Sequence, residues 1–209
     1  DQEVKNMNRI EQRFMELKKS KRKAFVAFIT AGYPDVATTE KLIREFDALG
    51  VDVVTGDVLD KSSLDKASAG VARVVHLVGI IQETTGSTFQ AIHVEGTRNT
   101  VEAARKAGVR HFFHQSALGT RPGARSAYHR TKWEAEEIVR AGGIPFTIQR
   151  PSLIYGPGDQ FTVRLSEMIR LSPLLPVIGS GKARIQPVFI DDVVACIVQA
   201  VTTACCYNR

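Results

Sequence analysis

Six apolar runs divide this chain at fairly even intervals, and helical patterns fill the gaps between them. The runs are AFVAFIT (24–30), VDVVTGDV (51–58), ARVVHLVG (72–79), GVRHFFHQSA (108–117), IPFTIQRPSLIY (144–155) and ARIQPVFI (183–190). Runs that stay apolar, rather than alternating, suit strands buried on both faces, and such strands belong to parallel sheets. DVATTEKLIREFDALG (35–50) opens on an aspartate cap and closes on Gly50, so it reads as a helix. So do 62–70, about 87–107, 126–143, 161–172 and 191–201. This alternation predicts an α/β fold, a doubly wound parallel sheet covered by helices on both faces. The strand at 24–30 is expected at its centre, with 73–78 on one side and 52–56 on the other. A helix over 8–19, packed through Ile10, Phe14 and Leu17, and a disordered tail at 203–209 complete a single domain over 1–209.

Composition narrows the class. Hydrophobic residues make up 44% of the chain, enough for a substantial core. No apolar run approaches the roughly 18 residues of a membrane span. The opening DQEVKNMNRIEQRF lacks the apolar segment of a secretory signal. Cys196, Cys205 and Cys206 have neither zinc nor disulfide spacing, so no metal site is expected. Together these point to a cytoplasmic protein. The net charge is +6, with basic residues gathered in KKSKRK (18–23). No aromatic side chains interleave with them, so the run reads as a solvated helix end and not as a nucleic-acid surface.

The chemistry gathers in the middle of the chain. Tyr128 and Lys132 are four residues apart and share one helix face. An ammonium beside a phenol favours the phenolate, which suits an acid or base working on an alcohol–carbonyl pair. Ser116 follows an apolar strand, where a parallel sheet places its site. Its hydroxyl is a candidate for holding the substrate oxygen.

These residues stand in a wider pattern: VTGDVLD, VVHLVGI, HVEGTRNTVEAARKAGVRHFFHQSALG, SAYHRTKWEAEE and RPSLIYGPGD. Over about residues 50–200 the chain resembles the extended and atypical branch of the short-chain dehydrogenase/reductase superfamily. That branch includes NAD-dependent epimerases and dehydratases and relatives of the NAD(P)-binding accessory subunit of respiratory complex I. The resemblance implies a Rossmann-like fold, NAD or NADP as cofactor, a small-molecule substrate, and oxidoreductase or sugar-nucleotide epimerase chemistry. It implies Tyr128 as the acid/base, Lys132 on the cofactor ribose, and Ser116 on the reacting oxygen. Asp57 and Val58 would meet the adenine, Leu77, Val78 and Gly79 would line the cofactor channel, and Pro151 and Ile154 would approach the nicotinamide. His93 stands where many extended members carry Asn.

The first βα unit departs from this pattern. NRIEQRFMELKKSKRKAFVAFITAGYPDVATTEKLIREFDALGVDVV, about 8–54, resembles the start of the tryptophan synthase alpha subunit, a (β/α)8 barrel. The resemblance implies a fusion in which a barrel-type unit replaces the usual Gly-rich turn. Only Gly32 occurs in AFVAFITAGYPD, where the family's glycines bring backbone N–H groups to the pyrophosphate. Asp35 adds a negative charge there, so weak cofactor affinity is expected. A non-catalytic α/β scaffold is therefore the alternative function. A tryptophan synthase-type lyase has least support, because its glutamate and the remaining barrel units are absent.

Overall fold

Four strands run parallel in the computed structural model of the chain, which describes residues 26–27, 36–49, 51, 53–157, 159–171, 180, 182, 184–203 and 206–208. They are β1 (Val26–Ala27), β2 (Arg73–His76), β3 (His111–Gln115) and β4 (Phe146–Gln149), in the order β1-β2-β3-β4. The register sets Val26 beside Val74, His76 beside His114, and Gln115 beside Gln149. Between them lie α1 (Val36–Ala48), α2 (Lys61–Ser68), a π-helical segment (Gln90–Glu95) continuing into α3 (Gly96–Lys106), and α4 (Ala127–Ala141). After β4 come β5 (Ile154–Tyr155), α5 (Gln160–Leu171), β6 (Val188–Phe189) and α6 (Ile190–Thr202).

Side chains on a strand alternate between faces, and both faces of this sheet are covered. Val74 and Phe112 pack with Val101 of α3 and Val139 of α4 on one side. Val75 and Phe113 pack with Ala200 and Val201 of α6 on the other. The apolar runs of β2 and β3 are thus explained by two-sided burial. Phe112 and Phe113 are each 1% exposed, a burial that stabilises by about 1.5–3 kcal/mol per side chain.

Several expectations need correction. The run at 51–58 forms no strand among its described residues. Val53 and Val54 remain 43% and 41% exposed, so burial does not drive pairing there. Asp57 instead folds the chain into a turn: its carboxylate accepts the Leu59 N–H at 2.8 Å, and its own N–H donates to Ser63 Oγ at 3.1 Å. The strand at 24–30, described only at 26–27, does pair with β2, but it stands at the edge of the described sheet and not at its centre. The run at 183–190 yields β6, which pairs with β5 in a separate two-stranded sheet. The expected helix over 87–107 begins as a π-helical segment.

Residues 206–208 of the tail contact the sheet. Cys206 O accepts from Thr147 Oγ1 at 2.6 Å, Asn208 N–H donates to Phe146 O at 2.5 Å, and Tyr207 stacks on His111 with ring centroids 4.1 Å apart. Polar partners on β4 and an aromatic neighbour on β3 hold a segment whose own sequence carries no helix or strand pattern. The expected helix at 8–19, the turn around Gly32 and Asp35, and Cys205 lie outside the described residues.

Candidate active site

The C-terminal ends of β2, β3 and β4 open onto one edge of the sheet, and the candidate residues follow them directly. Leu77, Val78 and Gly79 leave β2, Ser116 leaves β3, and Pro151 lies just beyond β4. The loops are tied to one another: Ser116 N–H donates to Gln149 O at 2.7 Å and Leu118 N–H to Pro151 O at 2.8 Å. Ile154 lies further on, in β5 beside Val188. A cavity of about 600 Å³ adjoins these loops, lined by Leu118, Ser152, Leu153, Phe161, Arg184, Ile185 and Gln186.

α4 brings Tyr128 and Lys132 to this edge. Ser126 caps the helix, its Oγ accepting the His129 N–H at 3.2 Å. Lys132 is 5% exposed, and its Nζ donates to Gln115 O at 3.1 Å. It also presses on the β2 loop: a Cβ at Gly79 would lie 2.9 Å from Lys132 Nζ and 3.5 Å from His93 Nε2. A side chain there would push the Lys132 ammonium aside. Burial brings the Lys132 pKa down to about 8, while Glu136 one turn on acts to raise it.

Tyr128 is boxed by aromatic rings. Phe89 meets it edge-on at 5.7 Å, His93 at 5.4 Å and His129 at 5.1 Å. Burial pushes its phenol above the ordinary value, so the expected lowering by Lys132 is not what this geometry gives. The ammonium is spent on Gln115 O and the phenol sits among rings. Ser116 is 4% exposed, with its hydroxyl donating to Thr120 Oγ1 at 3.3 Å. No hydrogen bond joins it to Tyr128. The structure therefore brings Lys132 and Gly79 together, with Tyr128 one helical turn earlier against His93 and Ser116 on the neighbouring strand end.

The adenine candidates divide. Asp57 is exposed in its turn. Val58 is 8% exposed and packs against Gly96, whose Cβ position would lie 2.9 Å from Val58 Cγ2, and its carbonyl accepts from Asn99 Nδ2 at 3.0 Å. Its side chain belongs to the core.

Three features were not read from the sequence. Glu136 is fully buried, and its carboxylate takes Arg150 at 2.5 and 2.8 Å and Arg140 at 2.8 Å. Burial acts to raise its pKa, but Arg150, Ser116 and Arg140 together hold it below the usual value. Both guanidiniums lie over the Trp133 ring, at 5.0 and 5.7 Å. His76 and His114 stack at 5.4 Å beneath the site. His93, in the π-helical segment, reaches both the β2 loop and α4. Glu136 was open to discovery, being i+4 from Lys132 on the same helix face. The histidine pairs depend on strand register, which a single strand's sequence does not carry.

A parallel sheet covered by helices, with a buried lysine and a tyrosine near its C-terminal strand ends, is a Rossmann-like α/β architecture. The chain belongs to the NAD dependent epimerase/dehydratase family, whose pattern it matches over residues 26–205. It is 37% identical over 150 residues to a ceramide reductase of Caulobacter vibrioides, covering 72% of this chain and 47% of that protein. It is 31% identical to mitochondrial NADH dehydrogenase (ubiquinone) 1 alpha subcomplex subunit 9 of Arabidopsis thaliana, covering 69% of this chain and 36% of that protein. The chain thus spans less than half the length of these two relatives. Its fold matches a UDP-glucuronic acid 4-epimerase of Bacillus cereus solved with NAD (TM-score 0.67, 21% identity, 86% and 64% of the two chains). It also matches a triphenylmethane reductase of Citrobacter sp. complexed with NADP(H) (TM-score 0.65, 22% identity, 80% and 55%). The family match runs on into the stretch 8–54 as far as residue 26, and the comparisons give the tryptophan synthase resemblance no support. No helix among the described residues is long and apolar enough to cross a membrane.

Proposed function

We propose that this chain is the cofactor-binding part of an NAD(P)-dependent oxidoreductase working on an alcohol–carbonyl pair, most simply in the direction of carbonyl reduction. The observation that carries the reading is Lys132, a buried ammonium packed on Gly79 and fixed to Gln115 O. A lysine is not buried this deeply without a charge or ligand to hold. NAD(P), when bound, supplies the hydride. In this reading Lys132 holds the ribose hydroxyls, with Leu77, Val78 and Gly79 along the channel, Pro151 and Ile154 toward the nicotinamide, and Asp57 near the adenine. A phenol kept protonated by burial is a proton donor at neutral pH, so Tyr128 gives its proton to the substrate oxygen as that oxygen gains charge. Ser116 orients the same oxygen. The ceramide reductase likeness favours reduction over sugar-nucleotide epimerisation as the working class.

Cofactor affinity is expected to be low. Loss of two charge-assisted bonds, as the Gly-poor sequence of this turn implies, would weaken binding by about a hundredfold or more. The single glycine in AFVAFITAGYPD is also what favours the second reading, an α/β scaffold without catalysis. The chain 1–209 is taken as one domain; the barrel-type origin of 8–54 rests on sequence wording alone and brings no lyase activity with it. Calorimetric titration with NADH and NADPH decides between the readings. Saturable binding, weakened about tenfold by Lys132→Ala, supports the oxidoreductase. No heat at millimolar cofactor leaves the scaffold.

A further inference from the structure

We propose that His93 is a positioning residue whose imidazole clamps the loop after β2 onto α4, and so fixes where Tyr128 and Lys132 stand. The inference deepens the oxidoreductase reading and rests on it. His93 is 1% exposed and reaches partners in two different elements. Nδ1 lies 3.0 Å from Thr131 Oγ1, on the helix turn between Tyr128 and Lys132. Nε2 lies 3.1 Å from Ile80 N and 3.0 Å from Ile80 O, in the loop that leaves β2 through Gly79. The flat ring also stacks on Phe89 at 5.3 Å and presents itself edge-on to Tyr128.

The proton count closes for a neutral ring. The Thr131 hydroxyl can donate to Ala127 O at 3.0 Å or Tyr128 O at 3.1 Å. Nδ1–H then donates to Thr131 Oγ1, and Nε2 accepts the Ile80 N–H. In the other tautomer Thr131 donates to Nδ1 and Nε2–H donates to Ile80 O, which leaves the Ile80 N–H without its acceptor, so the first tautomer satisfies every group. A doubly protonated ring would leave the Ile80 N–H without its acceptor and would face the Lys132 ammonium. Burial and Lys132 accordingly bring the His93 pKa down to about 4, against a smaller upward pull from Ile80. A neutral ring with nitrogens on two sides can bind a loop and a helix at once. The segment's π-helical winding presents that ring inward. Lys132 and the loop meet at Gly79, so displacing the loop changes the space available to the ammonium as well.

The test uses His93→Ala, His93→Gln and Thr131→Val, with two readouts. The first is the Tyr128 phenol titration, followed by NMR of 13C-tyrosine and assigned with Tyr128→Phe. The second is NADH affinity. His93→Ala is expected to lower the phenol pKa toward its ordinary value as water enters the ring box. It is also expected to weaken NADH by about tenfold, with Gln, which can still reach Ile80, restoring most of both. Thr131→Val, isosteric and with His93 intact, is expected to move both in the same direction, and it carries the test if the alanine variant does not fold. Unchanged phenol titration in the variants that fold overturns the proposal, as does failure of Gln to restore a shift produced by Ala. Should the parent protein bind no NADH, the oxidoreductase reading fails and the phenol titration alone still decides the role of His93.

Discussion

Gly79 shows how one missing methyl group can matter to a site. Its Cα is crowded by the terminal nitrogen of Lys132, and that nitrogen is anchored on Gln115 O. A Cβ placed 2.9 Å from it must push the ammonium away, because a lysine tip moves more easily than the backbone of two strands. Gly79→Ala is therefore expected to leave thermal stability nearly unchanged and to weaken NADH binding by about tenfold, through loss of roughly one charge-assisted bond. Equal losses in both measurements would show that the glycine serves packing alone. Glu136 poses the opposite case, a buried carboxylate whose three close contacts are to guanidiniums. Removing it would leave Arg150 and Arg140 without their carboxylate, but both are more than a third exposed, so water would offset much of the loss.

Among the elements, α4 does the most to build the site, since it carries Tyr128, Thr131, Lys132 and Glu136 on adjoining turns. Its start is fixed by Ser126, which caps the first turn and lies 2.7 Å from His129 Nδ1, while His129 Nε2 reaches Leu118 O at 3.2 Å. Ser126→Ala is expected to cost about 1 kcal/mol in chemical denaturation and to fray the turn bearing Tyr128 first. Hydrogen exchange at 127–131, faster than at 135–140, is the local measurement that checks it. This helix was legible in the sequence, as was the four-residue spacing of Tyr128 and Lys132 along it. β2 and β3 were legible too, because two-sided burial writes a continuous apolar run. The run at 51–58 misled for the same reason: VDVV has strand composition, but Val53 and Val54 find nothing to be buried against. The contacts of His93 and the carboxylate–guanidinium group were hidden, because they depend on which loop faces which helix.

At the scale of the molecule, the buried histidines predict sensitivity to acid. His76, His93, His111 and His114 are each at most 1% exposed. Burial brings His76 down to about 3 and His93 and His111 to about 4, with Lys132 adding to the effect at His76 and His93 and Arg73 at His111. His114 lies well below its ordinary value, through burial and then His76, Lys132, His93 and Arg140, and neither of its ring nitrogens has a hydrogen-bond partner. A folded-state pKa depressed below about 6.5 means that the unfolded chain binds more protons between the two values. The stabilising effect of neutral rings is therefore intact above about pH 7 and is lost as pH falls from 6.5 toward 4. For His93 alone this is on the order of 3 kcal/mol, and several such groups rival the 5–15 kcal/mol of a whole domain. Tm is expected to drop steeply between pH 7 and 4.5, and His114→Phe is expected to flatten the drop. A level Tm over that range would contradict the assignment of neutral rings.

The docked tail bears on the company the sheet can keep. The outer side of β4 would otherwise offer unpaired backbone groups, an open template for another strand. Asn208 already occupies the Phe146 carbonyl, and Cys206 takes the Thr147 hydroxyl beside it. The last few described residues thus act as an edge guard. Without these contacts the Phe146 carbonyl would be open to a neighbouring strand, so the described residues 206–208 act here on pairing as much as on packing.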